Sequence, residues 1–356
     1  MKMRDQLLPV SKETAVTVTN IATGVLSPLK GFMNRADYQS VLDDMRLADD
    51  TPWTIPILLH VPSDFVAGVG DEITLVDESG APLALLAFEE CYRISRKEYA
   101  EKVFGTSEGS HPGVAKLYEA PDTVIAGDLK ATFEPRLPFE GITLTPAETR
   151  VLFREKRWRE VVAFQTRNAP HIGHEYLQKT ALSFADGIFL NPVIGKKKPG
   201  DFTDEVIVDA YRSLVSNYYP ANSVVLSVLH YEMRYAGPRE AVLHAIMRKN
   251  FGCTHMAIGR DHAGVGNFYK PYAAQEIFTE FPDLGITPLF FREFFYCKKC
   301  LGIANEKICP HPADERLNFS GTKLREIFSS GQRPPNEFMR PEVVDVIRSH
   351  HPAFVE

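Results

Sequence analysis

From residue 161 onward the chain repeats one texture. Short, nearly continuous apolar runs alternate with longer stretches whose apolar residues recur every three or four positions. The first pattern is that of strands buried on both faces, the second that of helices lying over them. Strands alternating with helices at this spacing form βαβ units, and βαβ units make a parallel sheet. The spacing predicts strands at 161–165, 187–194, 223–230, 255–260 and 287–295, and helices at 172–185, 204–219, 238–250 and 272–281. In such sheets ligands settle beyond the C-terminal ends of the strands, so the chemistry is sought there.

The first of those ends is the densest. Val161-Val162-Ala163-Phe164 runs into Gln165-Thr166-Arg167-Asn168, then Ala169-Pro170-His171-Ile172-Gly173-His174, and then a helical pattern from Tyr176. A strand-to-helix turn gathers backbone N–H donors and the positive end of a helix dipole, a ready place for phosphate. Arg167 adds a planar, permanently charged fork suited to oxyanions. His171 and His174, three apart, share one face of the first helical turn. Gly173 between them lets a ligand approach the backbone.

Later strand ends carry further polar clusters. NPVIGKKKPGD, 191–201, sets Lys196, Lys197 and Lys198 between Gly195 and Gly200. It reads as a mobile lid over an anion or as a solvated basic loop. His230, Glu232, Arg234 and Tyr235 follow the 223–230 strand. GRDHAGVGNFY, 259–269, places Arg260, Asp261 and His262 before two glycines and reads as a second phosphate- or ribose-gripping loop. Cys297, Cys300, Cys309 and His311 offer three thiolates and an imidazole. Four soft ligands read as a closed tetrahedral zinc site with no position left for substrate; redox-active thiols are the rival reading and unligated cysteines the plain one. In FSGTKLRE, 319–326, Ser320 or Thr322 stands near a helix N-cap. Another helix is expected over Pro341–Ser349.

Residues 1–150 differ. Short β-like runs broken by Gly and Pro occur at Thr14–Thr19, Trp53–Leu59, Glu72–Val76 and Leu83–Phe88, with a turn at Asp77–Gly80 and one helix near Arg35–Met45. A small, mostly β unit is expected, a barrel being one form of it. His111-Pro112-Gly113 reads as a turn with a surface histidine, and SPLKGFM, 27–33, as a loop that packs on something. This part holds 14 Lys+Arg against 23 Asp+Glu, the remainder 26 against 23. The acidic first part suits nucleic acid poorly; the mildly basic remainder suits small anionic substrates. No apolar run approaches the ~20 residues that cross a bilayer, so no membrane partner is expected. No signal peptide is read at the N-terminus. The five cysteines, three of them clustered, point to a reducing, cytoplasmic setting.

His171-Ile172-Gly173-His174 is the HxGH element shared by adenylyltransferases and class I tRNA synthetases. A synthetase would also need a KMSKS-like loop and an anticodon-binding region, and neither is found. A non-enzymatic RNA-binding protein would need a basic aromatic surface. QTRNAPHIGHEY, GRDHAGVGNFY, NPVIGKKKPGD, FSGTKLRE and SPLKGFM together resemble the ATP sulfurylases, over nearly the whole chain. The resemblance implies a PUA-like β domain (1–150), a Rossmann-like parallel-sheet catalytic domain (151–318, with a zinc-binding loop at 297–311) and a small helical C-terminal part (319–356).

It further implies conversion of ATP and sulfate to adenylyl sulfate and diphosphate, with Mg2+ accompanying the nucleotide and a structural Zn2+. Gln165, Arg167 and the Ala263 N–H would hold sulfate. Thr166, Arg167, Asn168, His171 and His174 would form the catalytic set. The nucleotide would lie on Gln165–Asn168, on Gly259, Arg260, Asp261 and His262, and on the Phe294 backbone. Glu293 stands where some members carry Met. Cys297, Cys300, Cys309 and His311 would hold zinc. A homodimer or larger homo-oligomer is expected.

Overall fold

The computed structural model describes residues 6–133, 137–319 and 321–355. The first unit is built on a six-stranded sheet. Its strands are β1 (Gln6–Pro9), β2 (Gly31–Phe32), β3 (Leu59–Val61), β4 (Glu72–Val76), β5 (Pro82–Arg93) and β6 (Thr123–Thr132). They pair in the order β1-β4-β5-β6-β2, with β3 also on β6. β1 and β2 end that order unpaired to each other, so the sheet is open and the barrel expectation does not hold among the described strands. Helices α1 (Lys12–Ala22), α2 (Arg35–Asp44), α3 (Arg96–Tyr99) and α4 (Pro112–Glu119) accompany it.

Three local expectations fail here. Thr14–Thr19 lies inside α1. The Ser11 hydroxyl accepts from the Thr14 N–H and caps that helix, and Val18 and Ile21 turn into the core, so packing overrides β-branched propensity. Trp53–Leu59 is buried but only its last residue belongs to a strand; Pro52 and Pro56 break the ladder. His111 is fully buried rather than on the surface. Its Nδ1 accepts from the Gly113 and Val114 N–H groups and caps α4.

The second unit follows the βαβ pattern. After α5 (Pro146–Glu155) come β7 (Val161–Thr166), α6 (Ile172–Leu182), β8 (Gly187–Ile194), α7 (Asp204–Tyr218), β9 (Val224–Leu226), β10 (Leu229–His230), α8 (Pro238–Asn250), β11 (His255–Ile258), α9 (Ala273–Glu276) and β12 (Thr287–Phe290). All pairings are parallel, in the order β10-β8-β7-β11-β12, with β9 also on β8. The predicted 223–230 strand is thus two short ones.

The predicted 287–295 strand also divides. β12 closes the parallel sheet, and β13 (Phe294–Cys297) joins β14 (Gly302–Asn305) and β15 (Arg316–Asn318) in a separate antiparallel sheet. The chain ends in α10 (Gly321–Ser329) and α11 (Pro341–Ser349). Ser320 and the Thr322 side chain lie outside what is described. The chain moves outward from β7 through β8 to β9 and β10, then returns to β11 on the other side of β7. The switch point therefore lies between the ends of β7 and β11.

The two units share one core. Val18, Val41, Trp53 and Leu86 belong to the same buried cluster as Ala163, Phe189, Leu243 and Met247. Polar bonds cross the seam. Asn20 donates to the His230 carbonyl at 2.9 Å, and Asn250 donates to the carbonyls of Val25 and Ser27. Arg239 donates to the carbonyls of Val41, Leu42 and Thr54. On the far side of the sheet, Glu175 is buried on α6 and takes a two-pronged contact from Arg340, both arms at 2.8 Å. The Ile172 N–H donates to the Phe338 carbonyl. The C-terminal segment thereby fastens the helix that begins at the HxGH turn.

Candidate active site

β7 delivers Gln165 and Thr166 at its C-terminal edge, and the turn that follows ends at His171, the N-cap of α6. The His171 Nδ1 accepts the His174 N–H at 3.2 Å. A neutral His171 therefore carries its proton on Nε2 and offers it as a donor. The two rings stack at 3.7 Å and 19°. Phe319 stacks on His171 at 5.4 Å, and Phe164 meets His174 edge-on. Burial first, and the His174 neighbour second, hold the His171 pKa well below the ordinary value. Burial lowers that of His174 to about 4. Both are neutral donors at neutral pH. Gly173 admits no side chain, because a Cβ there would stand 2.7 Å from Phe319 Cδ2.

Arg167 is not buried deep; its side chain is 31% exposed. It donates to the Tyr235 hydroxyl at 2.5 Å, lies over the Tyr235 ring and sits 3.8 Å from Asp201. Lys198 covers the same ring at 4.4 Å, so the 196–198 lysines reach the Arg167 neighbourhood. Lys197 is tied to Asp204 at 2.9 Å. These lysines and Met233, Arg234 and Tyr235 line one wall of a cavity of about 700 Å³; α1 and α4 line the other. Gln165 touches Met233 only weakly through Nε2, and its Oε1 is buried without a partner. Thr166 and Asn168 close the turn on each other: the Asn168 N–H donates to Thr166 Oγ1 at 3.2 Å.

The 259–269 loop rises from β11 across the switch point. Asp261 and Ala263 both have positive φ, 53° and 56°, a backbone in which successive N–H groups can face one ligand. Burial raises the Asp261 pKa. Arg260 pairs with Glu293 at 2.8 Å. His262 is half-buried, with Nε2 3.1 Å from Nδ1 of the buried His244. Phe294 is buried at the start of β13, against Tyr176 of α6. His230 belongs to the seam, facing the Pro138 carbonyl.

Sequence reading assigned Tyr235 and His111 no role. His111 comes from the first unit, yet with its Nδ1 accepting, its Nε2–H donates to the Tyr235 carbonyl at 3.1 Å. Tyr269 donates to the same carbonyl at 3.0 Å. Tyr235 is thus held in a left-handed backbone (φ 62°) with its hydroxyl on Arg167. Its place just past a strand end was the available signal.

Cys297, Cys300, Cys309 and His311 converge at the tip of the β13–β14 hairpin, all donor atoms within 4.8 Å of one another. His311 Nδ1 lies 3.3 Å from the sulfurs of Cys297 and Cys300 and 3.7 Å from that of Cys309; Cys300 and Cys309 sulfurs are 3.7 Å apart. A tetrahedral zinc would place sulfurs about 3.8 Å apart and sulfur about 3.6 Å from nitrogen. The donor set and its spacing fit that ion.

A parallel sheet whose switch point presents an HxGH turn, behind a PUA-like domain, defines a nucleotidyltransferase of the HxGH type. Family models match accordingly: PUA-like domain over residues 2–134 and ATP-sulfurylase over 140–350. The chain belongs to the ATP-sulfurylase family. It is 59% identical over 344 residues to a sulfate adenylyltransferase of Hyperthermus butylicus (96% of this chain, 88% of that one). It is 54% identical over 364 residues to one of Thermococcus onnurineus (100% and 96%). A sulfate adenylyltransferase of Chloroflexus aurantiacus is 48% identical over 331 residues (92% and 87%). Among solved structures, a hexameric APS kinase from Thiobacillus denitrificans superposes with a TM-score of 0.75 at 23% identity, over 98% of this chain and 63% of that one; this likeness concerns the fold.

Proposed function

We propose that the protein is a sulfate adenylyltransferase, joining the adenylyl group of ATP to sulfate with release of diphosphate, reversibly. The observation that carries the reading is the convergence at the end of β7 of Gln165, Arg167 and the stacked His171–His174 pair, across the switch point from the 259–264 loop.

Gln165, Arg167 and the Ala263 N–H hold sulfate. Gln165 suits this because no strong hydrogen bond occupies its amide, whose Oε1 is buried without a partner. Gly259, Arg260 and Asp261 hold ATP, with His262 behind them and the Phe294 backbone beside the base. A sulfate oxygen attacks the α-phosphorus in line; the bond to the bridging oxygen breaks and diphosphate leaves. Mg2+, entering with ATP as part of the substrate, would neutralise phosphate charge. Two anions must meet and the nucleophile is weak, so catalysis is positioning and charge neutralisation. Arg167 is the cation both anions approach. Thr166 and Asn168 hold its turn rigid. His171 and His174, being neutral, donate N–H groups to phosphate oxygens whose charge grows in the transition state. Neutral donors serve both directions.

The hairpin cluster, in this reading, holds a structural Zn2+: its four donors would fill the coordination and leave no position for substrate. A cytoplasmic setting suits a cluster that needs reduced thiols. Release of diphosphate from ATP, dependent on sulfate or molybdate and needing no amino acid or RNA, tests the assignment; no such release from folded protein would refute it.

A further inference from the structure

On the face of the sheet that α8 covers lies polar material the reaction above leaves unused. Glu240, His244 and Arg248 follow one another at four-residue steps, so they share a face of α8. All three are fully buried. A buried carboxylate is costly unless its surroundings satisfy it, and packing alone would be served by an apolar residue.

Glu240 is satisfied by one loop. It accepts from the Tyr231 hydroxyl at 3.0 Å, the Arg234 N–H at 2.8 Å and the Ala236 N–H at 3.0 Å. These three donors bracket Tyr235, the residue on which Arg167 rests. The fourth neighbour is His244 Nε2, 3.4 Å from the carboxylate, a close approach without hydrogen-bond geometry that leaves this nitrogen otherwise unpartnered. A carboxylate favours a proton on that nitrogen, so His244 Nδ1 accepts, and the donor it faces at 3.1 Å is His262 Nε2–H. His262 stands beside Ala263. The Ala263 carbonyl in turn accepts the Gly237 N–H at 3.1 Å. One carboxylate thus sets the 231–237 loop directly and the 259–264 loop through two imidazoles. Burial keeps both imidazoles neutral, and the His244 contact with the N–H donors keeps Glu240 ionised against its burial.

We propose that Glu240 is the positioning residue of the sulfate end of the site, with His244 and His262 as its connection to the second loop. Through this column the Arg167 fork and the Ala263 N–H are held in register for one oxyanion, although neither touches the other. This rests on the reading that sulfate sits between Gln165, Arg167 and Ala263.

The test is a KM split. Glu240→Gln keeps the volume but sets an NH2 against N–H donors, loosening both loops. The KM for sulfate should rise about 10- to 100-fold while the KM for ATP moves little, since misplacement by about an ångström has that scale of effect. His244→Gln, milder and on the second arm, should show the same split more weakly. A merely structural role would lower Tm and active fraction and leave both KM values alone. That outcome overturns the proposal, as does an equal rise in both. If Glu240→Gln does not fold, His244→Gln decides; if neither folds beyond a fraction with wild-type sulfate KM, the column is scaffold and the proposal fails. Arg167→Lys, measured alongside, separates the two readings. An unchanged sulfate KM there sinks the site assignment itself, whereas a raised one beside an unaffected Glu240→Gln sinks only the column.

Discussion

The neutrality of the HxGH histidines has a measurable cost in acid. His174 lies between the His171 ring and Phe164, with its Nδ1 buried and unpartnered, and burial brings its pKa to about 4. In the unfolded chain the same imidazole titrates near its usual ~6.5. Between those values the unfolded chain binds a proton that the folded chain refuses. Stability is therefore lost as pH falls from the unfolded value toward about 4, and the loss levels off below. At pH 5 the difference amounts to about 2 kcal/mol, or about 1 kcal/mol once the ring's partial exposure is allowed for. Urea unfolding of wild type and of His174→Gln at pH 7 and pH 5 measures it. Wild type should lose more stability across that interval by about 1–2 kcal/mol. Equal losses would mean that the imidazole titrates in the fold as it does in the unfolded chain, and the argument that burial holds it neutral would fall.

Three further outcomes are expected. Arg167→Ala should lower kcat by about 10²–10³ with the fold intact, as loss of one preorganised donor does; near-normal turnover would remove Arg167 from the site. Purified protein should carry zinc at the 297–311 hairpin, and Cys300→Ser should lose it and melt earlier, activity falling with the folded fraction; His171→Ala and His174→Ala should slow turnover with zinc content unchanged. Gly173→Ala drives a Cβ against Phe319 and the His171 ring, which should cost about 1–3 kcal/mol in Tm-derived stability and disturb turnover more than the charge-neutral change suggests; a wild-type Tm would show that Phe319 yields freely.

The parallel sheet was legible because periodicity reports burial, and strands buried on both faces leave continuous apolar runs; 187–194 and 238–250 match β8 and α8 to the residue. Short segments were not legible. Thr14–Thr19 has β-branched side chains, and only the Ser11 cap and the core against which Val18 packs make it helical. Of the site, the β7 turn and the cysteine cluster were readable, being local in sequence. The tie of His111 to Tyr235 was not, because 124 residues separate the imidazole from the carbonyl it holds. The contact of His262 with His244 was not readable for the same reason, since that partner sits on α8, 18 residues earlier in the chain. The proposed division at residue 150 cuts α5 near its middle, and Phe153 of that helix packs on Phe189 of β8.

The shared core also governs how the molecule can come apart. The two tryptophans lie on opposite sides of the seam: Trp53 is buried in the first unit, and Trp158 stacks on Phe153 in the second. Two beads on a string would lose their fluorescence signatures separately. Here Trp53 and Phe189 belong to one buried cluster, so opening either unit alone would break a shared core. Both indoles should report a single cooperative transition. Either half expressed alone would present its sister's contact face to water and would be prone to aggregate.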